Sequence, residues 1–374
     1  MSEQQIQKVK VKRLAHVGLW SSDVATQARF YRQVLGLDLR NTVDSSTDQD
    51  IDLENASVFL SLGDEHHSVG LFSDTRPGAG NGRNPFQRTR LHHLAFELDN
   101  DAELAALAAR LNQSGIELTL AERDGDPELG DTLWFSDPDG NRIEISVTPD
   151  GSLTNSSVPS SGRRARLRPQ GLQHIALQTP HLEQMVDFYT EALGFDISDW
   201  LLRESVWLRC NTDHHTITLI QGKMDIDHIG YSIFNGPELL TWGDNLSRHQ
   251  TPVLWGPGRH GAGQDLFLRI ADTEGVHIEL SAELQQYYDH DVTTPPRLWH
   301  TRGSSTDGFL HRWVPPPMGS STDGFLHRWA PPPMGFLHGW ILAAASRPFF
   351  FRPAQPHSSS SQHHQSPSPP HHPP

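Results

Sequence analysis

The stretch LAHVGLWSSDVATQARFYRQVLGLD (14–38) decides the fold, because LQHIALQTPHLEQMVDFYTEALGFD (172–196) repeats its pattern. Each stretch begins with a short apolar run suited to a strand and continues with apolar residues at helical spacing. Each then reaches a glycine, Gly36 or Gly194, of the kind that ends a helix. A histidine, a Phe-Tyr pair and a Leu-Gly step recur at the same offsets. The repeat predicts a duplicated strand–helix unit.

A second kind of unit also occurs twice, as LHHLAFELDNDAELAALAARL (91–111) and IDHIGYSIFNGPELLTWGDNL (226–246). These units lead to the segments DPDGNRIEI and DTEGVHIEL, which predict hairpins with Gly140 or Gly275 in the turn. Further short strands are expected after each helix. The sequence therefore predicts an α+β protein of four βαβββ modules, arranged as two pairs.

The two pairs are predicted at residues 10–150 and 170–290, joined by a linker rich in Ser, Pro, Gly and Arg. Residues 291–374 have a different character. They contain the tandem repeat SSTDGFLHRWVPPPMG and SSTDGFLHRWAPPPMG and end in a run rich in Pro, Ser and His. Because this composition cannot build a core, we expect a disordered C-terminal tail.

The composition of the 374 residues limits the classes of protein to which the chain can belong. A net charge of −15 argues against nucleic-acid binding, which requires a basic face. The single cysteine, Cys210, excludes an internal disulfide and a cysteine-based zinc site, and it suits a reducing compartment. The N-terminal residues lack the apolar region of a signal peptide, and the stretch FLHGWILAAA is too short to span a membrane. We expect a cytoplasmic protein with no nucleic-acid or membrane partner.

The inward positions of the predicted strands carry the same residue types in both pairs. They are His174, His228 and Glu279 in the second pair, and His16, His93 and Glu144 in the first. A single strand histidine is usually a packed core residue. Three such residues in a repeated frame, including a carboxylate that is costly to bury unpaired, indicate a metal site. Two imidazoles and one carboxylate on one face of an ion form the facial triad of non-haem Fe(II) oxygenases.

The motifs HIALQTP, NTDHHTITLI, DHIGYSI, GPGRHGAGQDLF and HIEL resemble the C-terminal domain of type I extradiol ring-cleavage dioxygenases. This family, which includes catechol 2,3-dioxygenase and 2,3-dihydroxybiphenyl dioxygenase, belongs to the vicinal-oxygen-chelate superfamily. The resemblance covers about residues 10–290. It implies two vicinal-oxygen-chelate domains, with Fe(II), or less commonly Mn(II), held by the second triad. It also implies an aromatic diol and O2 as substrates, and a homo-oligomer.

Further roles follow from the resemblance residue by residue. His215, the second histidine of DHHT, matches the acid/base histidine beside the O2 site of the family. His260, in GRHG, matches the histidine that contacts a substrate hydroxyl. Arg269 stands where the family usually has a tyrosine, ten residues before the glutamate ligand. Its permanently charged guanidinium could stabilise a catecholate, and the alternative is that it points to solvent.

The first pair departs from the family, which has usually lost its metal ligands there. All three ligand positions are kept, and His67 stands where His215 stands in the second pair. Gly125, however, aligns with His260, and Trp134 occupies the tyrosine position. We expect a vestigial, metal-free site. The alternatives are an occupied second metal site and a site with ligands from both domains.

The implied activity is iron(II)-dependent extradiol (meta) cleavage of a catecholic or trihydroxylated ring by O2 in aromatic-compound degradation. Its product is of the hydroxymuconic semialdehyde type. Two alternatives of the same fold remain open: a metal-dependent lyase or isomerase of the glyoxalase kind, and a non-catalytic small-molecule-binding protein. The sequence does not specify which diol is used.

Overall fold

A computed structural model describes residues 9–40, 57–63, 65–74, 89–122, 131–147, 167–288 and 296–299. The described α-helices are α1 (Val24–Gln33), α2 (Asp101–Gln113), α3 (Leu182–Asp187) and α4 (Glu238–Arg248). A π-helical turn, Phe188–Ala192, continues α3. Asp23 and Asn100 cap α1 and α2 by accepting hydrogen bonds from backbone N–H groups of the first turn.

The strands form two sheets. The strands of the first sheet are β1 (Arg13–Ser21), β2 (Asp38–Arg40), β3 (Val58–Ser61), β4 (Val69–Ser73), β5 (Leu91–Leu98), β6 (Thr119–Glu122), β7 (Asp131–Ser136) and β8 (Arg142–Val147). Those of the second are β9 (Gly171–Thr179), β10 (Asp196–Leu201), β11 (Ser205–Arg209), β12 (Ile217–Gln221), β13 (Asp225–Ser232), β14 (Trp255–Arg259), β15 (Leu266–Ala271), β16 (His277–Ala282) and β17 (Arg297–Trp299).

The predicted α+β fold of four βαβββ modules is confirmed, since every module runs strand, helix and three strands. The strand order is β2-β3-β4-β1-β5-β8-β7-β6 in the first sheet. It is β14-β15-β16-β13-β9-β12-β11-β10-β17 in the second. In each sheet the opening strands of two modules pair antiparallel at the centre, β1 with β5 and β9 with β13. The candidate histidines therefore lie on buried central strands.

The tyrosine of the repeated Phe-Tyr pair joins distant modules. Tyr31, in α1, donates a hydrogen bond to Asp272 in the β15–β16 turn at 3.3 Å. Tyr189, in the π-helical turn, donates to Asp137 in the β7–β8 turn at 3.2 Å. Each hairpin turn also contains the expected glycine at positive φ, which a residue with a Cβ adopts at a cost. The repeated tyrosine thus belongs to the packing of the fold.

The C-terminal edge of the second sheet contains an addition. Residues Arg297–Trp299 form β17, which pairs parallel with β10. They fall within 291–374, the segment expected to be disordered, and instead add an edge strand; the rest of that segment lies outside the described residues. Among the described helices, none has the length and apolar character needed to cross a membrane.

Candidate metal centres

The second sheet brings His174, His228 and Glu279 together from the adjacent strands β9, β13 and β16. The Nε2 atoms of the two histidines lie 3.2 Å apart. One oxygen of Glu279, Oε1, lies 3.5 Å from Nε2 of His174 and 3.9 Å from Nε2 of His228. All three residues are at least 95% buried. The predicted triad is therefore a compact set of three donor atoms inside the sheet.

Small residues across the strand ladder make room for the imidazoles. His174 pairs with Gly230 on the neighbouring strand, and in the first sheet His93 pairs with Gly18. A Cβ on either glycine would overlap the facing ring. The other histidine of each centre pairs with an alanine. These small residues are visible in the sequence, but their role depends on the strand register, which only the structure supplies.

Asp227 orients His228. The Asp227 carboxylate lies 2.7 Å from Nδ1 of His228, which makes that nitrogen the donor and leaves the Nε2 lone pair facing the centre. Burial, reinforced by the charge of Arg269, lowers the pKa of His228 to about 4. Burial opposes the charge of Asp227, but the hydrogen bond from His228 and the charge of Arg269 lower the pKa of Asp227 below its ordinary value. The pair thus presents a neutral imidazole, the form that binds metals.

Glu279 has two further neighbours, Arg269 and His260. Arg269 donates from Nε to Oε2 of Glu279 at 2.6 Å, and its Nη1 lies 3.3 Å from Asp227. His260 places Nε2 3.1 Å from the same Oε2 and stacks on Phe267. Although burial acts in the other direction, the charges of Arg269 and His260 lower the pKa of Glu279 well below its usual range. Arg269 faces the centre and does not point to solvent.

His215 lies beside the triad, its ring 4.4 Å from that of His174 between centroids. Its Nδ1 is 3.1 Å from Nδ1 of His214, whose Nε2 lies 3.0 Å from Asp199. Burial, together with the nearby His174, lowers the pKa of His215 well below its ordinary value. A neutral imidazole backed by a buried histidine and carboxylate is suited to accept a proton and release it again.

A divalent metal ion fits this centre. Ligand atoms bonded to one ion at about 2.1 Å and at right angles lie about 3 Å apart, close to the observed separations. The donors are two imidazole nitrogens and a carboxylate, the set that suits divalent iron and manganese. His260 and Asp265 form an overlapping cluster with Glu279. Asp265 is fully buried and accepts a hydrogen bond from Ser281 at 3.0 Å.

The first sheet repeats the triad with His16, His93 and Glu144 on β1, β5 and β8. The two Nε2 atoms lie 2.8 Å apart, and Oε2 of Glu144 lies 3.3 Å from His16 and 3.5 Å from His93. The His67 ring lies tilted against that of His16 with centroids 3.9 Å apart, as the His215 ring lies against that of His174. Trp134 faces Glu144 across the β7–β8 ladder, where Arg269 faces Glu279 in the second sheet. Gly125 lies outside the described residues.

The structure brings together all the residues singled out from the sequence around the second triad. Within the described residues, each candidate triad draws its ligands from a single sheet, unlike the arrangement with ligands from both domains. Asp227, Asp265 and the pair His214 and Asp199 were not foreseen. A carboxylate next to a predicted ligand, as in DH at 227–228, is the signal that could have identified the first of them.

The fold and the paired triads define a two-pair protein of the vicinal-oxygen-chelate type. The profile of the Glyoxalase/Bleomycin resistance protein/Dioxygenase superfamily matches residues 13–145 and 171–280. The chain belongs to this superfamily.

Individual relatives of the chain have more specific names than the superfamily. The chain is 27% identical over 247 residues to Metapyrocatechase 2 of Cupriavidus necator, covering 61% of this chain and 73% of the relative. It is 22% identical over 305 residues to the manganese-dependent 2,3-dihydroxybiphenyl 1,2-dioxygenase of Geobacillus genomosp. 3, covering 75% and 88%. Among solved structures, the Mn(II)-bound glyoxalase from Novosphingobium aromaticivorans has a TM-score of 0.63 at 25% identity, covering 82% and 93%.

Proposed function

We propose that this protein is a metal-dependent extradiol dioxygenase, which cleaves a catecholic or trihydroxylated ring with O2 beside its hydroxyl pair. We place the activity in the second pair of modules. The observation that carries the proposal is the convergence of His215, His260 and Arg269 on the buried triad. The names of the curated relatives, a metapyrocatechase and a dihydroxybiphenyl dioxygenase, support the same chemistry.

The triad is proposed to hold the metal ion through Nε2 of His174, Nε2 of His228 and the Glu279 carboxylate. A bound divalent redox metal supplies Lewis acidity to the substrate hydroxyls and an electronic route between diol and dioxygen. Asp227 keeps His228 in the ligating tautomer. We propose Fe(II) as the resident ion and Mn(II) as the alternative, because this donor set suits both.

His215 is proposed to move the proton. Its neutral ring accepts a proton from a diol hydroxyl and returns it to oxygen as the O–O bond breaks. The hydrogen-bonded pair behind it, His214 and Asp199, holds the ring in place while its charge changes.

His260 and Arg269 are proposed to bind the substrate. His260 is part-buried at the edge of the centre, with Nε2 turned inward, and is placed to contact a substrate hydroxyl. Arg269 contributes a fixed positive charge that favours the anionic diol, and its planar donor fork suits a ring with an additional oxygen. Its 2.6 Å hydrogen bond to Glu279 and its position over the Trp255 ring fix the guanidinium in place.

The reaction balances without an added reductant. One carbon–carbon bond of the ring breaks, and both atoms of O2 enter the product. The diol supplies the electrons that reduce the O2, leaving a ring-opened acid with an aldehyde or ketone, of the hydroxymuconic semialdehyde type when the substrate is catechol.

The test is oxygen-electrode screening of metal-free protein reconstituted with Fe(II) or with Mn(II), using catechol, alkyl- and aryl-catechols and a trihydroxybenzene. We expect one O2 consumed per diol, a coloured ring-opened product, and activity with at least one ion. Lack of O2 uptake with every diol and both ions would contradict the proposal. Free metal at the same concentration is the control for uncatalysed oxidation.

The glyoxalase-type lyase or isomerase is the second candidate, favoured by the 25% identity to the Mn(II)-bound glyoxalase. Such chemistry consumes no O2. An anaerobic assay with glutathione hemithioacetals therefore separates the two: turnover there, together with no O2 uptake in the diol screen, would favour the second candidate.

A further inference from the structure

The first sheet contains a buried cluster that the proposed reaction does not use. His16, His93 and Glu144 lie on three adjacent strands, and each is at least 99% buried. Their donor atoms form a tighter triangle than those of the second sheet, since all three separations lie between 2.8 and 3.5 Å. Burying three polar side chains in one spot is costly unless each has a partner.

The carboxylate of this cluster has no hydrogen bond among the described residues. Neither oxygen of Glu144 accepts one, and Nδ1 of His16 also has no partner there. In the second sheet, the equivalent carboxylate is compensated by Arg269, but here the same ladder position holds Trp134. The guanidinium of Arg142 lies 4.5 Å over the Trp134 ring. Among the described residues, no arginine contacts Glu144 as Arg269 contacts Glu279.

Protons alone do not satisfy this cluster. If one Nε2–H donates to the other nitrogen across 2.8 Å, the carboxylate still receives no hydrogen bond. A carboxylate buried without a hydrogen bond is costly, because it has lost its hydration and gained no donor in return. A divalent cation at the centre of the cluster would bind the Nε2 lone pairs of His16 and His93 and the Glu144 carboxylate at once.

We propose that His16, His93 and Glu144 bind a second divalent transition-metal ion, such as Zn(II), Mn(II) or Fe(II). This reverses the expectation of a metal-free relic in the first pair. The ion would join β1, β5 and β8 and stabilise the first sheet. Aromatic rings surround the cluster, with Trp134 at 5.1 Å and Phe72 at 5.6 Å from the His93 ring between centroids. We therefore assign the ion a structural role.

The experiment counts metal ions per chain after reconstitution of the full-length protein with Mn(II), Fe(II) or Zn(II) and removal of loosely bound ions. We expect two ions in the wild type, one in His93→Ala, one in His228→Ala, and none in the double variant. Any metal that stays on the double variant belongs to the other histidines and is subtracted from every count.

The outcomes separate this proposal from the proposed reaction. One ion in the wild type, unchanged in His93→Ala and lost in His228→Ala, would overturn the proposed first-sheet site. It would leave the dioxygenase proposal intact. One ion lost in His93→Ala but kept in His228→Ala would support the first-sheet site and contradict the proposed catalytic centre. Two ions in both the wild type and His93→Ala would also overturn the proposal.

A second variant guards against loss of folding. Glu144→Gln keeps the size of the side chain and removes its charge, and it should also bind one ion fewer. Bound metal should raise the thermal unfolding temperature of His228→Ala, which retains only the first-sheet site, and that increase should disappear when Glu144→Gln is added. An equal increase without the Glu144 carboxylate would contradict the site.

Discussion

The two triads share one backbone plan and differ in what surrounds the carboxylate. Both place two histidines and a glutamate on adjacent central strands, with the ring of a third histidine against the first ligand. In the second sheet, Arg269 and His260 contact Glu279, at 2.6 and 3.1 Å. In the first sheet, neither oxygen of Glu144 accepts a hydrogen bond from the described residues. The difference in charge therefore arises outside the ligands themselves.

The neighbour of the second histidine ligand differs in the same way. His228 is held by the carboxylate of Asp227, whereas His93 has the ring of His92 at 2.6 Å between Nδ1 atoms. A carboxylate behind a ligating histidine raises its basicity and fixes its tautomer. The second centre thus combines its ligands with the charged side chains of Arg269 and Asp227, and among the described residues Glu144 of the first centre accepts no such hydrogen bond. The comparison teaches that one repeated ligand frame can have quite different charged neighbours.

The largest effect is expected at the histidine beside the triad. His215→Asn should lower kcat by about 10²–10⁴-fold, because it removes the group that moves the proton. Metal content should stay unchanged. His67→Asn, at the matching position of the first sheet, is the control and should leave kcat unchanged. Steady-state O2 uptake measures both; equal losses in the two variants would remove the functional distinction between the sheets.

The glycines across the strand ladder give a matched pair of variants. Gly230→Ala would push the His174 imidazole out of place, and Gly18→Ala would do the same to His93. Because a displacement of about 1 Å costs on the order of 100-fold in activity, Gly230→Ala should lose most of its O2 uptake. Gly18→Ala should instead lose the first-sheet ion. Metal counting with an activity assay tests both, and undiminished activity in Gly230→Ala would contradict the assigned ligand position.

Asp227→Asn tests the support of His228. The amide oxygen can still accept the hydrogen bond from Nδ1, but the negative charge is gone. We expect metal affinity at the second centre to fall by about 10–100-fold, measured by competition with a chelator of known affinity. His92→Asn is the counterpart in the first sheet and should leave this affinity unchanged. If Asp227→Asn binds metal as tightly as the wild type, the carboxylate does not support the ligand.

The smallest expected effect is on how the free energy of unfolding depends on pH. Burial raises the pKa of Asp137 to about 6, so the folded state keeps a proton there that the unfolded state releases near pH 4. The stabilisation from this group is present at low pH and is lost as pH rises through about 6. A shift of this size corresponds to about 3 kcal/mol.

Asp137→Asn should therefore show a smaller decline of unfolding free energy between pH 4 and pH 6 than the wild type. Denaturant unfolding at several pH values measures the difference. Tyr189 donates a hydrogen bond to Asp137 in the β7–β8 turn. Tyr189→Phe is the control for loss of this hydrogen bond alone. Parallel pH profiles for Asp137→Asn and the wild type would show that Asp137 does not titrate in this range.

Much of the fold was predictable because it follows from local periodicity and from repetition. The four modules, the hairpin turns and the glycines that follow α1 and α3 all follow from patterns within about 25 residues. The π-helical turn after α3 and the strand β17 were not predicted. The hydrogen bonds from Tyr31 and Tyr189 to the turns also escaped prediction, because they join residues far apart in the chain.

Part of the candidate site could also be predicted from the sequence, and part could not. Both triads were identified from spacing, since a histidine on a central strand and a glutamate in a hairpin recur in register. The direction of Arg269 could not be read from the sequence, because it depends on pairing with Glu279 across β15 and β16. The link from His215 through His214 to Asp199 needs the pairing of β10 with β11, and of β11 with β12.

The central claim is that the second triad is the ring-cleaving centre, and O2 uptake with a diol tests it most directly. The measurement compares Fe(II)-loaded wild type and His228→Ala at equal concentrations of folded protein, with catechol or the best diol from the screen. The account predicts one O2 consumed per diol by the wild type and a rate in His228→Ala no higher than that of free metal. Full O2 uptake in His228→Ala would contradict it.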